Sequence, residues 1–267
     1  MTKEFENLLN LLKSGISENI MLGLQLAQNY KSEFEAYFGC LLEEYEEMYY
    51  FLEENSYEKT AGILTEISYL KLFRFRIIEI PKNIKILAKL ETLDISDNYI
   101  SELPKEIGKL THLSNFDLGN NKIAKLPKEI GNLKQLEHLN LNDNKLIILP
   151  VELTTLSKLT ILYLERNLIE KISDKIHQLK NLHTLNLNWN QIENLPEKII
   201  KLKNLQTLTI SNNNFKVFPP EIMELDNLRT LGLDTMQIEL FANEIETLQN
   251  KYKYLKINRF TSNDYFD

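Results

Sequence analysis

The sequence predicts an α/β solenoid preceded by a small helical cap. Three observations carry this. The pattern L-x-x-L-x-I-x-x-N-x-I-x-x-L-P at Leu90–Pro104 returns every 23 residues without insertion or deletion. A fixed period of that size means stacked units, each burying its apolar side against its neighbours. Within each unit a short stretch alternates apolar and polar residues, the pattern of a strand with one face buried. The first 64 residues lack the period and carry the charge. They hold twelve glutamates against four lysines, while the remainder holds 27 basic and 26 acidic residues.

Residues 1–64 read as three helices. Phe5, Leu8, Leu9, Leu11 and Leu12 recur at helical spacing, and Lys13-Ser14-Gly15 stops the run. Ser17 is placed to cap a second helix carrying Ile20, Leu24 and Ala27. Ser32-Glu33-Phe34-Glu35 has the form of a capping box opening a third, whose aromatic stripe runs from Phe34 to Leu52. That stripe reads as core against the first repeat, which makes the segment a cover for the solenoid's open end. A second reading makes it a docking helix, with Glu43, Glu44, Glu46 and Glu47 steering a basic partner.

Eight repeats fit residues 65–248, with Leu70, Leu93, Phe116, Leu139, Leu162, Leu185, Leu208 and Leu231 in equivalent strand positions. Pro104 with Leu103, Ile107 and Leu110 marks a second apolar cluster in each unit, suited to a 3₁₀ turn on the convex side. The equivalent prolines give way to Ser173 in the fifth unit, where a local loosening is expected. Asn98, Asn121, Asn144, Asn167, Asn190 and Asn213 form a column of amides that can satisfy turn backbone in their own and adjacent coils. Phe75 and Met236 replace it in the end repeats, which identifies them as cap-type units. Residues 249–267 are expected to hold a cap strand, alternating over 251–257, and a mobile tail whose Tyr265 and Phe266 could serve as a docking peptide.

These eight units in register resemble leucine-rich repeats of the L-P-x-x-I variety. Such repeats occur in plant intracellular Ras-group-related proteins, Ras-pathway scaffold proteins and many bacterial repeat proteins. The helical segment resembles a helical repeat pair of the sort fused to such solenoids in bacteria. The resemblance implies a horseshoe with a parallel sheet on its concave side. It also implies a non-enzymatic protein-interaction scaffold that binds its partner on the concave face.

Leucines and asparagines hold the coil, so contacts are sought in the variable strand positions. One candidate patch joins Ile161, Tyr163, Glu165, Arg166 and the only tryptophan, Trp189, with Asn186 and Asn188 beside them. Arg166 and Trp189 are column neighbours, within reach of cation–π stacking, and Trp, Tyr and Arg are enriched among interface hot spots. The second is an acidic zone of Asp94, Asp97, Asp117 and Asp143, with Asn120, His138 and Asn140 alongside. It suits a basic partner surface. A Ca²⁺ site would need a loop of D-x-D-x-D-G type, which is missing.

Other classes find little support. No run of about 20 apolar residues is present to span a membrane, and neither part has the basic excess of a nucleic-acid binder. The N-terminus lacks the form of a secretory signal. The single Cys40 fits a reducing compartment, so a cytoplasmic monomer is expected. There is no G-x-S-x-G, P-loop or H-E-x-x-H motif, and no cofactor is expected. Two alternatives remain open. One is an enzyme whose helical segment is catalytic around Cys40, with the repeats choosing substrate. The other is a glycan binder that uses Trp189 and Tyr163 for stacking.

Overall fold

A computed structural model of the chain describes residues 2–14, 16–55 and 63–260. Gly15 and the tail with Tyr265 and Phe266 lie outside the described residues. The cap has four helices where the periodicity predicts three: α1 (Lys3–Leu12), α2 (Ser17–Ala27), α3 (Lys31–Phe38) and α4 (Leu42–Asn55). The long aromatic stripe breaks at Gly39, whose φ of 68° ends α3 in the left-handed conformation that glycine adopts most cheaply. Neither serine caps as expected. α2 has Ile16 at its N-cap and α3 has Tyr30, so Ser17 is the first and Ser32 the second residue of its helix. The Ser17 hydroxyl donates instead to Glu53 across the bundle, at 2.9 Å. Phe34, Phe38, Leu42, Tyr45, Met48, Tyr49 and Leu52 are buried, as the core reading of the stripe requires, whereas Tyr37 and Leu41 of the same stripe are exposed around the break at Gly39.

The glutamate row of α4 is engaged within the molecule. Glu44 takes the Lys85 ammonium at 2.6 Å and Glu47 takes the Asn83 amide, both from the convex segment of the first repeat. Glu43 pairs with Lys31 at 2.5 Å and Glu46 accepts from Gln28 at 3.2 Å. The Tyr45 hydroxyl, in the buried interior, accepts the Leu64 amide at 2.9 Å and ties the cap to the start of the coil. These bonds account for the row as fastening and leave little of it to steer a partner.

Strands β1 (Tyr69–Lys71), β2 (Thr92–Asp94), β3 (Asn115–Asp117), β4 (His138–Asn140), β5 (Ile161–Tyr163), β6 (Thr184–Asn186), β7 (Thr207–Thr209), β8 (Thr230–Asp234) and β9 (Lys256–Phe260) form one parallel sheet in chain order. Through β8 each residue pairs with the one 23 positions on, as Leu70 with Leu93 and Leu139 with Leu162. The strands line the concave side. Short 3₁₀ segments such as Lys105–Lys109 and Val151–Thr155 follow each proline on the convex side. Ser173 causes no loosening. Its φ and ψ of −64° and 142° match those of the prolines, and its hydroxyl accepts the Lys175 amide in their place.

The asparagine column works in one direction. The Asn144 amide nitrogen donates to Leu141 and Asn142 carbonyls of its own coil and to Leu118 of the coil before, at 3.0–3.2 Å. Its oxygen accepts the Ile123 amide, also of the coil before, at 3.0 Å. Each asparagine therefore clamps its own turn to the preceding one. The first repeat needs no asparagine at Phe75, because Asn98 serves its turn from the next coil.

At the other end Met236 is exposed, and Gln237 takes over the asparagine's work. Its amide nitrogen reaches the Ile210 carbonyl at 3.1 Å, the bond that an asparagine one residue earlier would make. Glutamine has one more methylene, which offsets the shifted position. Gln237 also closes a capping box with Asp234 and so starts α5 (Thr235–Leu240), followed by α6 (Ala242–Lys251). The eighth unit is thus helical beyond its strand. The cap strand lies at Lys256–Phe260, starting five residues later and ending three later than the expected 251–257, and its register steps by 26, Leu231 opposite Ile257. Phe260 lies over Gly232, where an added Cβ would fall 2.5 Å from the ring.

Replacing Asn144 with Ala is expected to cost about 3 kcal/mol of unfolding free energy in urea titrations, because it strands buried backbone groups in two coils. Gly232→Val is expected to displace Phe260 and raise amide exchange across β9, with exchange in β3–β5 unchanged.

Candidate functional site

The concave face carries a groove of about 480 Å³ across β1–β5. Its floor is the strand backbone at Leu93, Phe116 and Leu139, whose side chains are buried in the core, and Tyr69 and Tyr163 stand at its two ends, with Ile161 beside the latter. Asp94, Asp117, His138 and Asn140 project into it. Alternation along each strand puts these residues on one face, and the constant register stacks them in columns roughly 4.8 Å apart. The structure therefore brings together five of the sequence-predicted residues: Asp94, Asp117, His138, Asn140 and Tyr163.

Asp94 and Asp117 are both half-buried there. The Asp117 Oδ1 accepts the Gly119 amide at 2.9 Å and the Asn140 side-chain amide at 3.0 Å. Burial pushes its carboxyl above the ordinary 3.8, opposed by these two hydrogen bonds, and the Asp94 and Asp97 charges add to the rise. Asp94 lies 3.8 Å from the Lys71 ammonium and accepts from Ser96.

Asp97, Asp143, Arg166 and Trp189 lie off the groove, on the rim where strands pass into their turns. Each has positive φ: 53°, 53°, 52° and 55°. The same slot holds Arg74, Asn120 and Asn212. Asp and Asn tolerate this left-handed backbone, whereas bulky residues in it cost about 1–2 kcal/mol. Along the rim the side chains interlock. Asp97 takes the Arg74 guanidinium at 3.0 Å and the Asn120 amide, and Arg166 lies 3.6 Å from Asp143. Arg166 also stacks on the Trp189 ring at 5.7 Å, as the column order predicts.

Two residues of the expected exposed patch are buried. Glu165 is 7% exposed and Asn188 is fully enclosed. Both sit where the backbone bends inward and are used there. Glu165 accepts from Asn186 at 2.8 Å, and the Asn188 oxygen caps the Ser211 amide at 2.9 Å. Trp189 is itself half-buried, with its indole nitrogen covered. The readable part of this patch is therefore Tyr163, Arg166 and one face of Trp189. Sequence reasoning missed Tyr69, which closes the groove, and did not identify the rim slot as left-handed. Its run of Asp and Asn was the available signal.

A family model for a leucine-rich repeat region matches residues 105–188 and 167–262, and a second leucine-rich repeat model matches 89–110. The chain belongs to the leucine-rich repeat family. Among solved structures, a leucine-rich repeat protein of Leptospira interrogans is 37% identical with a TM-score of 0.60. The match covers 67% of this chain and 45% of that one, so this chain spans less than half of its length. Comparison with curated proteins gives no match. Leucine-rich repeat domains generally mediate protein–protein interaction and are typically non-enzymatic.

The described residues contain no cluster of three or more His, Cys, Asp or Glu placed to hold a metal ion. No helix among them is long and apolar enough to cross a membrane. Cys40 lines a separate pocket between the cap and the first repeats, with Glu44 and Lys85. Burial, with the Glu44 charge adding, pushes its thiol up to about 11. At pH 7 only about one molecule in 10⁴ would carry the thiolate, the nucleophilic form. The catalytic reading of the helical segment gains no support from that. Iodoacetamide at neutral pH is expected to alkylate Cys40 about 100-fold more slowly than an unperturbed thiol, the rate rising as pH approaches 11.

Proposed function

We propose that this leucine-rich repeat chain is a non-enzymatic scaffold that binds a protein partner on its concave face. The observation that carries the reading is the groove over β1–β5, in which Asp94, Asp117, His138 and Asn140 converge between two tyrosines. Its chemistry favours a cationic side chain. Asp94 and Asp117 face the opening, Asp117 without an ion-pair partner among the described residues, and Tyr69 and Tyr163 can flank a Lys or Arg head. Arg166 and Trp189 on the rim add a second contact. The chain acts as a monomer without nucleic acid or membrane, and its one cysteine fits a cytoplasmic setting.

A protein captured from native lysate by the wild-type chain supplies the ligand for the test. Asp117→Asn and Tyr163→Ala are each expected to weaken it about tenfold, with unfolding midpoints near wild type. Trp189→Asn is expected to weaken binding too, while holding or raising stability, because Asn tolerates the left-handed backbone. Affinity should also rise with pH as Asp117 ionises. The raised carboxyl is protonated to a higher pH than 3.8, and a bound cation draws it back down, so binding releases a proton. A partner that binds all three variants like wild type removes the concave-face reading.

A further inference from the structure

The first repeat ends in a loop unlike the others. Its sequence is Phe73-Arg74-Phe75-Arg76-Ile77-Ile78. With Phe75 in place of the usual asparagine, the Phe75 and Ile77 amides both donate to the Asn98 oxygen, at 3.1 and 2.9 Å. In the second to sixth repeats that oxygen, from the next coil, accepts only the second of these amides. The double bond to one acceptor curls the backbone between its donors, and Arg76 takes a φ of 60°. The equivalent positions Tyr99, Lys122 and Lys145 have ordinary negative φ. Arg74, two residues earlier, has φ 65°. Two left-handed arginines separated by one residue are unfavourable for folding alone, since either position would accept asparagine at lower cost.

The loop is also arranged by charge. Lys71 and Arg74 both approach the Phe73 ring, at 5.3 and 4.6 Å from its centroid. Each is matched by an aspartate of the second repeat, Lys71 by Asp94 and Arg74 by Asp97. Arg76 is exposed and makes no ion pair among the described residues, and Ile78 beside it is 72% exposed. An unmatched guanidinium is thus held outward, next to an apolar side chain and an aromatic–cation stack.

We propose that this loop is a second docking surface, for an acidic polypeptide segment whose carboxylate Arg76 receives and whose apolar side chains meet Ile78. A guanidinium presents a planar fork that fits a carboxylate in bidentate fashion. The surface lies off the concave groove and takes the opposite charge, so it is independent of the proposed groove ligand.

The test uses the full chain and a fluorescein-labelled oligoglutamate peptide at low ionic strength. The peptide is expected to bind and to weaken as salt rises. Arg76→Asn is expected to lower its affinity about fivefold, the loss of one charge-assisted contact, with an unfolding midpoint equal to or above wild type. Arg166→Asn removes an arginine from the same backbone conformation on another loop, and should leave binding unchanged. Asp117→Asn should also leave it unchanged, which separates this surface from the groove. The proposal is overturned if oligoglutamate does not bind, if Arg166→Asn weakens it as much as Arg76→Asn, or if oligothymidylate binds more tightly than the peptide.

Discussion

From the second coil on, one side-chain amide clamps each turn to the coil before it, alongside the backbone bonds of the sheet. The asparagine nitrogen is shared among three carbonyls and its oxygen takes one amide, so the turn after each strand is closed by the following coil. A buried turn cannot leave those groups unmatched. The direction of the clamp explains both ends of the array. The first coil receives a clamp and gives none, so Phe75 is tolerated and its loop is free to take another path. The last regular turn still needs one, and Gln237 supplies it while opening a helix that changes the direction of the chain.

Where the sequence repeated, it was legible, because every unit solves the same local problem. Strand positions, register and the 3₁₀ segments follow from Leu93, Ile95, Asn98, Pro104 and their equivalents. The ends were harder to read. A helix stripe does not show where Gly39 will adopt positive φ, and three consecutive polar residues near Ser17 or Ser32 offer more than one N-cap. Gln237 was hidden because the column was read at fixed spacing, while side-chain length can make up for a shift of one residue. The candidate groove was legible as columns of Asp94, Asp117, Asn140 and Tyr163. The burial of Glu165 and Asn188 was not, since strict alternation stops holding where the strand bends into its turn.

The left-handed rim slot separates structural from functional sequence better than exposure does. From Asp97 to Trp189 the slot's amide donates to a carbonyl of the next coil, as Asp97 to Gly119 and Arg166 to Asn188, so the slot imposes one demand on whichever residue fills it. Asp97, Asn120, Asp143 and Asn212 meet that demand. Arg74, Arg166 and Trp189 do not, and Arg76 enters the same backbone region in the first loop, where Phe75 stands in the asparagine position. All four are large, and two of the three arginines lie over aromatic rings.

A solenoid can sustain such exceptions because its stability is a sum over coils and nearest-neighbour interfaces. A strained turn is borne by the two coils that bracket it, whose leucines are fully buried on both sides of β5 and β6. The first repeat is different, since its outer neighbour is the helical cap and not another coil. There the Glu44–Lys85 and Glu47–Asn83 contacts and the Tyr45 hydroxyl bond take the place of an amide clamp. The coil that bears Arg74 and Arg76 is thus held at this loop by Asn98 and at Leu64, Asn83 and Lys85 by the cap. The cap then has a role beyond covering apolar surface: it fixes the coil from which the outward arginine is held.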